Sequence, residues 1–382
     1  MPVRVLLDAT ALPGDRGGVG RYVDGLVSGY RDAGLSDQLV IACQPRDAAG
    51  FAVLGPDATV VASAGAGGPR PQRLAWEQTG LPVLARRVRA DVLHSPHYTF
   101  PIAAPLAGGC PVVVTVHDAT FFTSPDVHLP VKARFFRTWT RLAARRAAAI
   151  VVPSDATRRE LARVLRRVPT TVVAHHGVDP AIFHPPSQLD VERFAQSLGL
   201  AGRSWVAFLG TLEPRKNVPN LIRGFVQAVR EHPDPPVLVL AGGRGWDEQV
   251  DAAAHTVPSS VEVLRPGYLP LGDLPALLGG AEVVAYPALG EGFGLPVLEA
   301  MACGATVLTT PRLALPEVGG EAVAYTEPDG ESIGAGLSDL LNDDGLRHRL
   351  GELAFERAAD FTWRACAERH YLAFEKVARG RG

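Results

Sequence analysis

The stretch that determines the fold class is Val283–Gly304, with the sequence VVAYPALGEGFGLPVLEAMACG. Its apolar, partly β-branched start predicts a buried strand at Val283–Tyr286. Pro296 suits the first turn of a helix, and Gly304 suits the position just past the end of that helix. A buried strand that leads through a glycine-rich loop into a helix is the repeating unit of an α/β domain.

The same stretch carries two carboxylates, Glu291 in the loop and Glu299 one turn inside the predicted helix. The glycines between them expose backbone N–H groups at the helix N-terminus, where anions bind. One carboxylate can then meet hydroxyls near the loop, and the other can meet hydroxyls beyond a bound anion. A simple helix-capping glutamate is the alternative, and it accounts for one carboxylate but not for both.

Strand-like runs alternate with helical runs along the whole chain, which is typical of parallel sheets with helices on their faces. The predicted strands are Val3–Leu7, Leu39–Ala42, Thr59–Ala62, Val92–Leu93, Val112–Val116, Ile150–Val152, Thr171–Ala174, Trp205–Leu209, Val237–Ala241, Val261–Arg265, Val283–Tyr286, Ala305–Thr309 and Ala322–Tyr325. The predicted helices lie near Val19–Ala33, Ala75–Arg89, Val131–Arg146, Ala156–Val164, Val218–Glu231, Trp246–His255, Asp273–Gly280, Pro296–Ala302, Ser332–Asn342 and Asp344–Phe361.

This alternation predicts an α/β protein with two Rossmann-like, doubly wound parallel-sheet domains facing a cleft. Ligands of such sheets bind outside the carboxyl ends of the strands. The segment 175–186 contains three prolines and can continue neither a helix nor a central strand, so it predicts a linker. We place the N-terminal domain at residues 1–185 and the C-terminal domain at 186–361.

Composition excludes several classes of protein. The chain has 382 residues, of which 47% are hydrophobic and 20% are charged, which is enough for two cores and rules out a disordered protein. Its formal net charge is -2, so no overall positive field attracts nucleic acid or membranes. The four cysteines stand singly, which predicts neither a disulfide framework nor a structural zinc site and fits a reducing compartment.

Two strand ends of the first domain carry candidate site residues. Gly17 and Gly18 follow the first strand and would let the backbone approach an anion, but a tight turn without function is equally compatible. His117 directly follows another strand and could bond a sugar hydroxyl or transfer a proton, with a structural histidine as the alternative. The adjacent His175 and His176 have no third ligand at a characteristic spacing, so they predict no metal site.

The loop after the first strand of the second domain, Gly210–Asn217, has the sequence GTLEPRKN. Arg215 and Lys216 stand at the N-terminus of the next helix, where a guanidinium fork, an ammonium and the positive helix end together suit a diphosphate. An exposed basic pair is the alternative, which is weakened because the chain has only three lysines. The glycine-rich fingerprints of dinucleotide-binding domains and P-loops are missing from the sequence.

On these residues the chain resembles the retaining glycosyltransferases of family 4, which have the two-domain GT-B fold. The resemblance is carried by the 291–304 element, Glu213-Pro-Arg-Lys-Asn, His176-Gly-Val-Asp and Phe361-Thr-Trp. It covers essentially the whole chain and is strongest for the mannosyltransferase and polysaccharide-type subset with the Glu-Pro-Arg-Lys-Asn motif. The resemblance also implies that a last helix, at about 362–382, returns to the N-terminal domain.

The resemblance implies a role for each candidate residue. By this resemblance Arg215 and Lys216 would bind the donor pyrophosphate. Glu291 would contact the donor sugar, and His117 would lie at the reacting sugar. The resemblance further implies that Glu299 contacts the ribose of the donor and that Gly17 and Gly18 line its diphosphate. The backbone of Phe293, Gly294 and Leu295 would lie along the sugar and the diphosphate. The base would be bordered by Gly267, Tyr268 and Leu269. Many family members carry an arginine where this chain has Thr211, and Arg215 is the candidate to supply that charge.

The function implied is the transfer of a hexose, with mannose favoured, from GDP-mannose or a UDP-sugar to a sugar, lipid-linked or polysaccharide acceptor of the cell envelope. The anomeric configuration would be retained. Cationic side chains and a helix N-terminus would stabilise the leaving diphosphate, so we expect no metal and no cofactor, in agreement with the lack of an Asp-x-Asp element. The alternatives are a GT-B sugar-nucleotide epimerase or phosphorylase and a non-catalytic sugar-nucleotide-binding subunit.

The sequence also predicts which loops form the acceptor site and where the protein is located. The loops expected to form the acceptor site are Pro13–Gly20, Ser95–Pro105 and Ala119–Pro130. The basic segment Val131–Arg146 places on one helical face the residues Phe135, Phe136, Trp139 and Leu142, which is compatible with a helix on the inner face of the plasma membrane. We favour the alternative of an amphipathic helix packed on its sheet. Since the sequence shows neither a signal peptide nor a membrane-spanning run, we expect a cytoplasmic protein.

Overall fold

The computed structural model describes residues 2–14, 16–104 and 109–380, and they form two compact units. Unit 1 comprises residues 1–177 and 361–382, and unit 2 comprises residues 178–360. The boundary lies earlier in the chain than the predicted one at 185/186, because the proline-rich segment belongs to unit 2. A Cβ on Gly279 would lie only 2.4 Å from the ring of Pro186, so the two residues are in tight contact.

A parallel sheet forms the centre of unit 1, with the strand order β3-β2-β1-β4-β5-β6-β7. Its strands are β1 (Val5–Asp8), β2 (Leu39–Cys43), β3 (Thr59–Ala62), β4 (Val92–Ser95), β5 (Val112–Thr115), β6 (Ala149–Val152) and β7 (Thr170–Val173). Val5 of β1 lies beside both Leu39 of β2 and Val92 of β4. Successive strands are added on one side of β1 up to β3 and on its other side from β4 onward, so the strand order reverses between β1 and β4. Ligands of doubly wound sheets bind at such a point.

Helices cover this sheet, and the last of them comes from the C-terminus. They are α1 (Gly18–Asp32), α2 (Ala48–Leu54), α3 (Arg70–Arg87), α4 (Thr120–Thr123), α5 (Pro130–Arg146), α6 (Asp155–Val164) and α15 (Trp363–Arg379). α15 packs along α1, because Gly25 and Gly29 of α1 leave room for Trp363. A Cβ on Gly29 would lie 2.1 Å from the Trp363 carbonyl oxygen.

A directed chain of buried hydrogen bonds also ties α15 to the sheet. A carbonyl oxygen can only accept, so His370 donates its Nδ1–H to Cys366 O (2.8 Å) and its Nε2 accepts from the Tyr22 hydroxyl (2.8 Å). The Tyr22 oxygen then accepts from Thr115 Oγ1 (2.9 Å), which accepts from His94 Nε2 (2.8 Å). The chain runs from β4 through β5 and α1 to α15. Because Nε2 of His370 accepts a hydrogen bond in this chain, His370 has to be neutral.

Unit 2 repeats the same architecture, with the strand order β10-β9-β8-β11-β12-β13 in a parallel sheet. Its strands are β8 (Trp205–Leu209), β9 (Val237–Ala241), β10 (Val263–Gly267), β11 (Val283–Tyr286), β12 (Val307–Thr309) and β13 (Ala324–Tyr325). Its helices are α7 (Gln188–Ser197), α8 (Val218–Ala228), α9 (Gln249–His255), α10 (Leu274–Gly279), α11 (Leu295–Ala302), α12 (Leu315–Gly319), α13 (Gly330–Leu341) and α14 (Asp344–Ala358). The strand order reverses between β8 and β11.

The observed architecture confirms the predicted fold class of two Rossmann-like, parallel-sheet domains. Each predicted strand is present, with ends that differ by at most two residues. The sequence reasoning missed α2, α4, α7 and α12. These helices are short, and α7 directly follows the proline-rich segment, so none of them shows a long helical period.

The structure shows which side chains of the predicted apolar face of α5 pack against the protein itself. Phe136, Trp139 and Leu142 pack against the core of unit 1, and the Phe136 ring lies 4.7 Å from the Tyr98 ring. The favoured alternative, an amphipathic helix packed on its sheet, therefore describes these three side chains. Phe135 remains 38% exposed. Among the described residues, no helix is both long and apolar enough to cross a membrane.

Candidate active site

The turn after β8 buries the side chain of Lys216. Pro214–Lys216 forms a short 3₁₀ turn, and Asn217 then takes a left-handed conformation (φ 61°) before α8 begins. The Asn217 amide donates to the carbonyl oxygens of Pro287 (3.1 Å) and Pro328 (2.6 Å). Asparagine is one of the few residues that adopt this conformation readily. As a result Lys216 is only 7% exposed.

The loop after β11 meets this turn at the point where the strand order of unit 2 reverses. β11 lies beside β8, so the loops that leave the two strands are neighbours. The Leu289 N–H donates to the Arg215 carbonyl (2.8 Å), and the Arg215 guanidinium donates to the Gly290 carbonyl (3.1 Å). These two bonds hold Glu291 next to the cationic side chains.

Four side chains then converge, and we call Arg215, Lys216, Tyr286 and Glu291 the Glu291 cluster. Oε1 of Glu291 accepts from Lys216 Nζ (2.6 Å) and from the Tyr286 hydroxyl (2.9 Å). The same oxygen is ion-paired with the Arg215 guanidinium. Lys216 Nζ also bonds the Tyr286 hydroxyl and lies 4.7 Å from the centre of its ring.

Burial and charge set the protonation of the Glu291 cluster. Burial alone would raise the pKa of Glu291, but the charges of Arg215 and Lys216 outweigh it and lower the pKa to about 2. Burial, followed by the charge of Arg215, lowers the pKa of Lys216, and Glu291 opposes this shift. Burial, followed by the charge of Glu291, raises the pKa of Tyr286. Glu291 is therefore ionised at neutral pH, and any arriving anion competes with it for the two cations.

Helix α11 begins at Leu295, four residues after Glu291. Gly294 caps the helix with φ 104°, a conformation that only glycine adopts easily. Phe293 and Leu295 are buried beside it. Glu299 lies in the second turn of α11 and is 2% exposed. The structure thus places the predicted residues of this motif on one loop and one helix.

Gly267, Tyr268 and Leu269 lie at the end of β10, on the other side of β8 from β11. Gly267 has φ 80°, and a Cβ there would meet no atom within 4 Å. Tyr268 is 61% exposed. A cavity of about 530 Å³ opens at the ends of β9 and β10, and its lining residues are Leu212, Leu240, Gly242, Arg244, Asp251, His255, Arg265 and Gly267.

The candidate residues of unit 1 lie at the start of α1 and after β5. Gly17 caps α1 and Gly18 is its first residue, with ordinary negative φ at the cap. A Cβ on either glycine would meet no atom within 4 Å, so neither packing nor backbone geometry explains the glycines. Tyr22 of α1 contacts His117 edge-on, with ring centres 5.0 Å apart. The two parts of the predicted site in unit 1 are therefore neighbours.

His117 is held in one orientation. Its Nε2–H donates to the carbonyl oxygen of Pro96 (2.8 Å), which leaves Nδ1 as a hydrogen-bond acceptor. Burial lowers the pKa of His117, although the Pro96 carbonyl and Asp118 oppose this shift. A neutral His117 can accept a hydroxyl proton in a hydrogen bond at Nδ1. Of the loops expected to line an acceptor site, two contain residues outside the described part of the chain, Asp15 and Pro105.

Sequence reasoning missed Tyr286, which bonds both Glu291 and Lys216. It appeared in the sequence only as the last residue of a predicted strand. A phenol at the carboxyl end of an otherwise apolar buried strand, directly before the motif loop, was the available signal. Asn217 was likewise noted only as part of a motif, and its structural role in the turn depends on carbonyls far away in the chain.

Two family models match the chain, one in each half. Residues 16–182 match the model described as Glycosyltransferase Family 4, and residues 190–357 match the model described as Glycosyl transferases group 1. Together with the two parallel sheets, these matches identify the protein as a glycosyltransferase with the GT-B fold.

Individual relatives agree with this class. The chain is 29% identical over 309 residues to O-antigen chain mannosyltransferase B of Escherichia coli, covering 80% of this chain and 77% of that protein. It is 32% identical over 213 residues to a D-inositol 3-phosphate glycosyltransferase of Corynebacterium jeikeium, covering 53% of this chain and only 50% of that protein. The fold is similar to that of Anabaena Alr3699/HepE in complex with UDP and glucose, with a TM-score of 0.75 and 20% identity over 98% of this chain and 100% of that chain.

Proposed function

We propose that the protein is a retaining hexosyltransferase that moves mannose from a nucleoside-diphosphate sugar to a sugar, glycolipid or polysaccharide acceptor. The observation that carries this proposal is the Glu291 cluster. It combines the buried Lys216, the partly buried Arg215 and a carboxylate, and it lies beside a helix N-terminus. This is the reversal point of a doubly wound sheet, where ligands of such sheets bind. We assign most of the donor contacts to unit 2 and the acceptor contacts to unit 1.

The charges of the cluster suit the departure of a nucleoside diphosphate. Breaking the anomeric C–O bond builds negative charge on the diphosphate and positive charge on the sugar. Arg215, Lys216 and the backbone N–H groups near Gly294 are positioned before the reaction, and each such preorganised donor stabilises the transition state by about 3 kcal/mol. We infer that these groups replace a metal ion and that Arg215 supplies the charge missing at Thr211.

We assign the hydrogen bonds to the sugar to Glu291 and His117. When the diphosphate pairs with Arg215 and Lys216 in place of Glu291, the Glu291 carboxylate becomes available to bond hydroxyls of the donor sugar. Since the Nε2–H of His117 is engaged with Pro96, we assign to its Nδ1 the role of accepting a sugar hydroxyl. In the retaining reaction the leaving phosphate takes the acceptor proton, so His117 orients the sugar and is not a general base. Glu299 would bond the ribose, and the open space at Gly17 and Gly18 would admit the diphosphate.

Mannose is the favoured sugar because a relative that aligns over most of both chains is named an O-antigen chain mannosyltransferase. A UDP-sugar is the second candidate donor, because a protein of similar fold was solved with UDP and glucose. Residues Gly267–Leu269 and the adjoining cavity are our candidates for the base. Polysaccharide or glycolipid synthesis in the cell envelope is the corresponding process.

A donor panel tests this function. The purified chain is melted with GDP-mannose, UDP-glucose, UDP-N-acetylglucosamine and UDP-galactose, with chelator present, and hydrolysis of each donor is followed by chromatography. A ligand at 100 times its dissociation constant stabilises a protein by about 2.7 kcal/mol, so a true donor raises the melting temperature measurably. Failure of all four donors to bind or react would refute the transferase proposal. Product linkage by NMR then tests retention of configuration.

The same panel separates the alternative functions. An epimerase changes the sugar of the donor without any acceptor, and a phosphorylase releases a sugar phosphate. A non-catalytic subunit binds a donor but never turns it over, alone or with mannose-containing acceptors. Glucosyl or mannosyl product that forms only when an acceptor sugar is added supports the transferase over all three.

We also propose a cytoplasmic protein that touches the inner face of the plasma membrane through α5. Val131 and Phe135 are exposed on this helix, 83% and 38% respectively, beside the basic Arg134. Sedimentation with anionic liposomes tests the contact. Replacing Val131 and Phe135 by serine should abolish sedimentation, whereas Val53→Ser, at another exposed apolar position, should not change it. Equal sedimentation of all the proteins would refute the contact.

A further inference from the structure

A second group of chemically active side chains lies at the reversal point of the unit 1 sheet. Asp8 ends β1, His97 follows β4, and Glu77 lies on α3. One ligand atom from each residue lies within 4.8 Å of the other two. Asp8 and Glu77 are completely buried, and the side chain of His97 is 12% exposed, so the group has a narrow route to solvent.

The hydrogen bonds around this group fix the direction in which His97 points its lone pair. The Thr99 hydroxyl donates its proton to Glu77 Oε2 (2.9 Å). Thr99 Oγ1 is also 3.0 Å from His97 Nδ1, and having no second proton it must accept from Nδ1–H. In the neutral imidazole, His97 Nε2 is therefore the unprotonated nitrogen. This Nε2 lies 3.6 Å from Asp8 Oδ2.

Two hydrogen-bond acceptors thus face each other in the interior. Among the described residues, neither Asp8 Oδ2 nor His97 Nε2 has a hydrogen-bond partner. The other oxygen of Asp8 is held by the Thr10 N–H (3.1 Å) and hydroxyl (2.6 Å). A buried acceptor without a donor is unfavourable, and two of them that face each other need a hydrogen-bond donor or a cation between them.

The composition of the group also suits a cation. Asp8 and Glu77 bring two carboxyl groups into the interior, and one guanidinium lies beside them, with Arg73 Nη1 3.1 Å from Glu77 Oε2. Buried carboxyl groups are usually paired with cations or coordinate metal ions.

We propose that Asp8, Glu77 and His97 bind one divalent transition-metal ion in unit 1. A set of two carboxylates and one imidazole suits Zn²⁺ or Mn²⁺, whereas Mg²⁺ and Ca²⁺ prefer oxygen ligands alone. Thr99 and Thr10 supply the outer hydrogen bonds that orient metal ligands in proteins. The ion would join β1, α3 and the segment after β4. It is independent of the proposed donor chemistry, which uses the cationic side chains of unit 2.

The sequence predicted no metal site, and the fold explains why this one was missed. Positions 8, 77 and 97 show none of the short ligand spacings that mark metal sites in a sequence. Only the pairing of β1 with β4 and the packing of α3 bring the three ligands together.

Calorimetric titration of the chelator-treated full chain with Zn²⁺ and with Mn²⁺ tests the proposal, with thermal melting as a second readout. We expect one ion per chain and a higher melting temperature for the wild type. Asp8→Asn should weaken the binding by more than about 100-fold, and Thr99→Val by about 10- to 100-fold, with recovery in Thr99→Ser. Asp57→Asn, an exposed carboxylate of unit 1, is the matched control and should bind like the wild type.

Thermal melting in chelator distinguishes loss of the metal site from misfolding of the variant. Asp8→Asn keeps the acceptor that Thr10 uses and removes one buried negative charge, so in chelator it should melt no lower than the wild type. Absence of binding to the wild type, or equal binding by Asp8→Asn, would overturn the proposal, and a proton or a water molecule would then occupy the position between Asp8 and His97. Neither result depends on whether the chain transfers a sugar.

Discussion

Glu291 neutralises the two cations that the proposed donor needs. Its carboxylate occupies both Arg215 and Lys216, and Tyr286 bonds the same oxygen. A diphosphate must displace Glu291 before it can bind, and the displaced carboxylate then faces the sugar. One residue would thus oppose nucleotide binding and favour sugar binding.

Replacing Glu291 by glutamine tests this competition. Because the internal counter-ion is lost, GDP and UDP should bind about tenfold more tightly to Glu291→Gln, while sugar transfer should fall by about 100-fold or more. Isothermal titration and initial transfer rates measure the two effects. Glu282→Gln, which removes a carboxylate paired with Arg347 (2.8 Å), is the control and should change neither. Weaker GDP and UDP binding by Glu291→Gln would contradict the competition.

Tyr286 is expected to position Glu291 and Lys216. Tyr286→Phe keeps the ring and removes the hydroxyl, so kcat should fall by about three- to tenfold while the donor KM changes less. Steady-state kinetics measure both constants. Tyr325→Phe removes a hydroxyl that donates to Gly320 (2.8 Å) away from the cluster and should have wild-type kinetics. Wild-type kinetics in Tyr286→Phe would remove Tyr286 from the site.

At the scale of elements, the position of α15 depends on two glycines of α1, which have no side chain. Gly25 and Gly29 leave the groove that receives Trp363, and the hydrogen-bond chain through Tyr22 and His370 fixes the helix along its length. The packing is close backbone contact, so it tolerates no added carbon atom.

Gly29→Ala should therefore destabilise unit 1 by about 3 kcal/mol, because its Cβ would overlap the Trp363 backbone. Urea denaturation measures the stability, and hydrogen exchange should show faster exchange in α15. Gly50→Ala is the matched control, since Gly50 is also helical but a Cβ there meets no atom within 4 Å. The control should be neutral or slightly more stable. Similar losses in both variants would argue against the groove.

At the scale of the whole molecule, the two units differ in how acid affects them. Burial lowers the pKa of His94, His176 and His370, which all lie in unit 1. For His370 the pKa falls to about 4, because burial outweighs the hydrogen bond to Cys366. In unit 2 the buried carboxyl of Glu291 is held ionised by Arg215 and Lys216, with a pKa of about 2.

Unit 1 should consequently lose stability first as the pH falls. In the unfolded chain His370 has its ordinary pKa of about 6.5, whereas in the folded chain its pKa is about 4. As the pH falls between these two values, the free energy of unfolding therefore decreases by about 3 kcal/mol. The stability contributed by Glu291 is lost only below about pH 4.5. Hydrogen exchange of peptides from both units, from pH 7 to 4, follows the two transitions. Simultaneous loss, or unit 2 opening first, would contradict this order.

Local patterns predicted most of the fold and part of the site. Strands such as β8 and β11 are continuous apolar runs, and such runs are visible without any tertiary information. The placement of Arg215, Lys216 and Glu291 at strand ends also followed from the sequence. Their mutual ion pairing did not, because it depends on β11 lying beside β8 rather than beside β10.

The sequence by itself determined the alternation of strands and helices, the glycine and proline positions that end them, and the loops that carry charge. These features arise from interactions between residues a few positions apart. Only the tertiary structure decided that Tyr286 completes the Glu291 cluster, that Phe136 and Trp139 face the core, and that Asp8 meets Glu77 and His97. The physical reason is that strand order and helix packing bring distant residues into contact, and burial then changes their charge and hydrogen bonding.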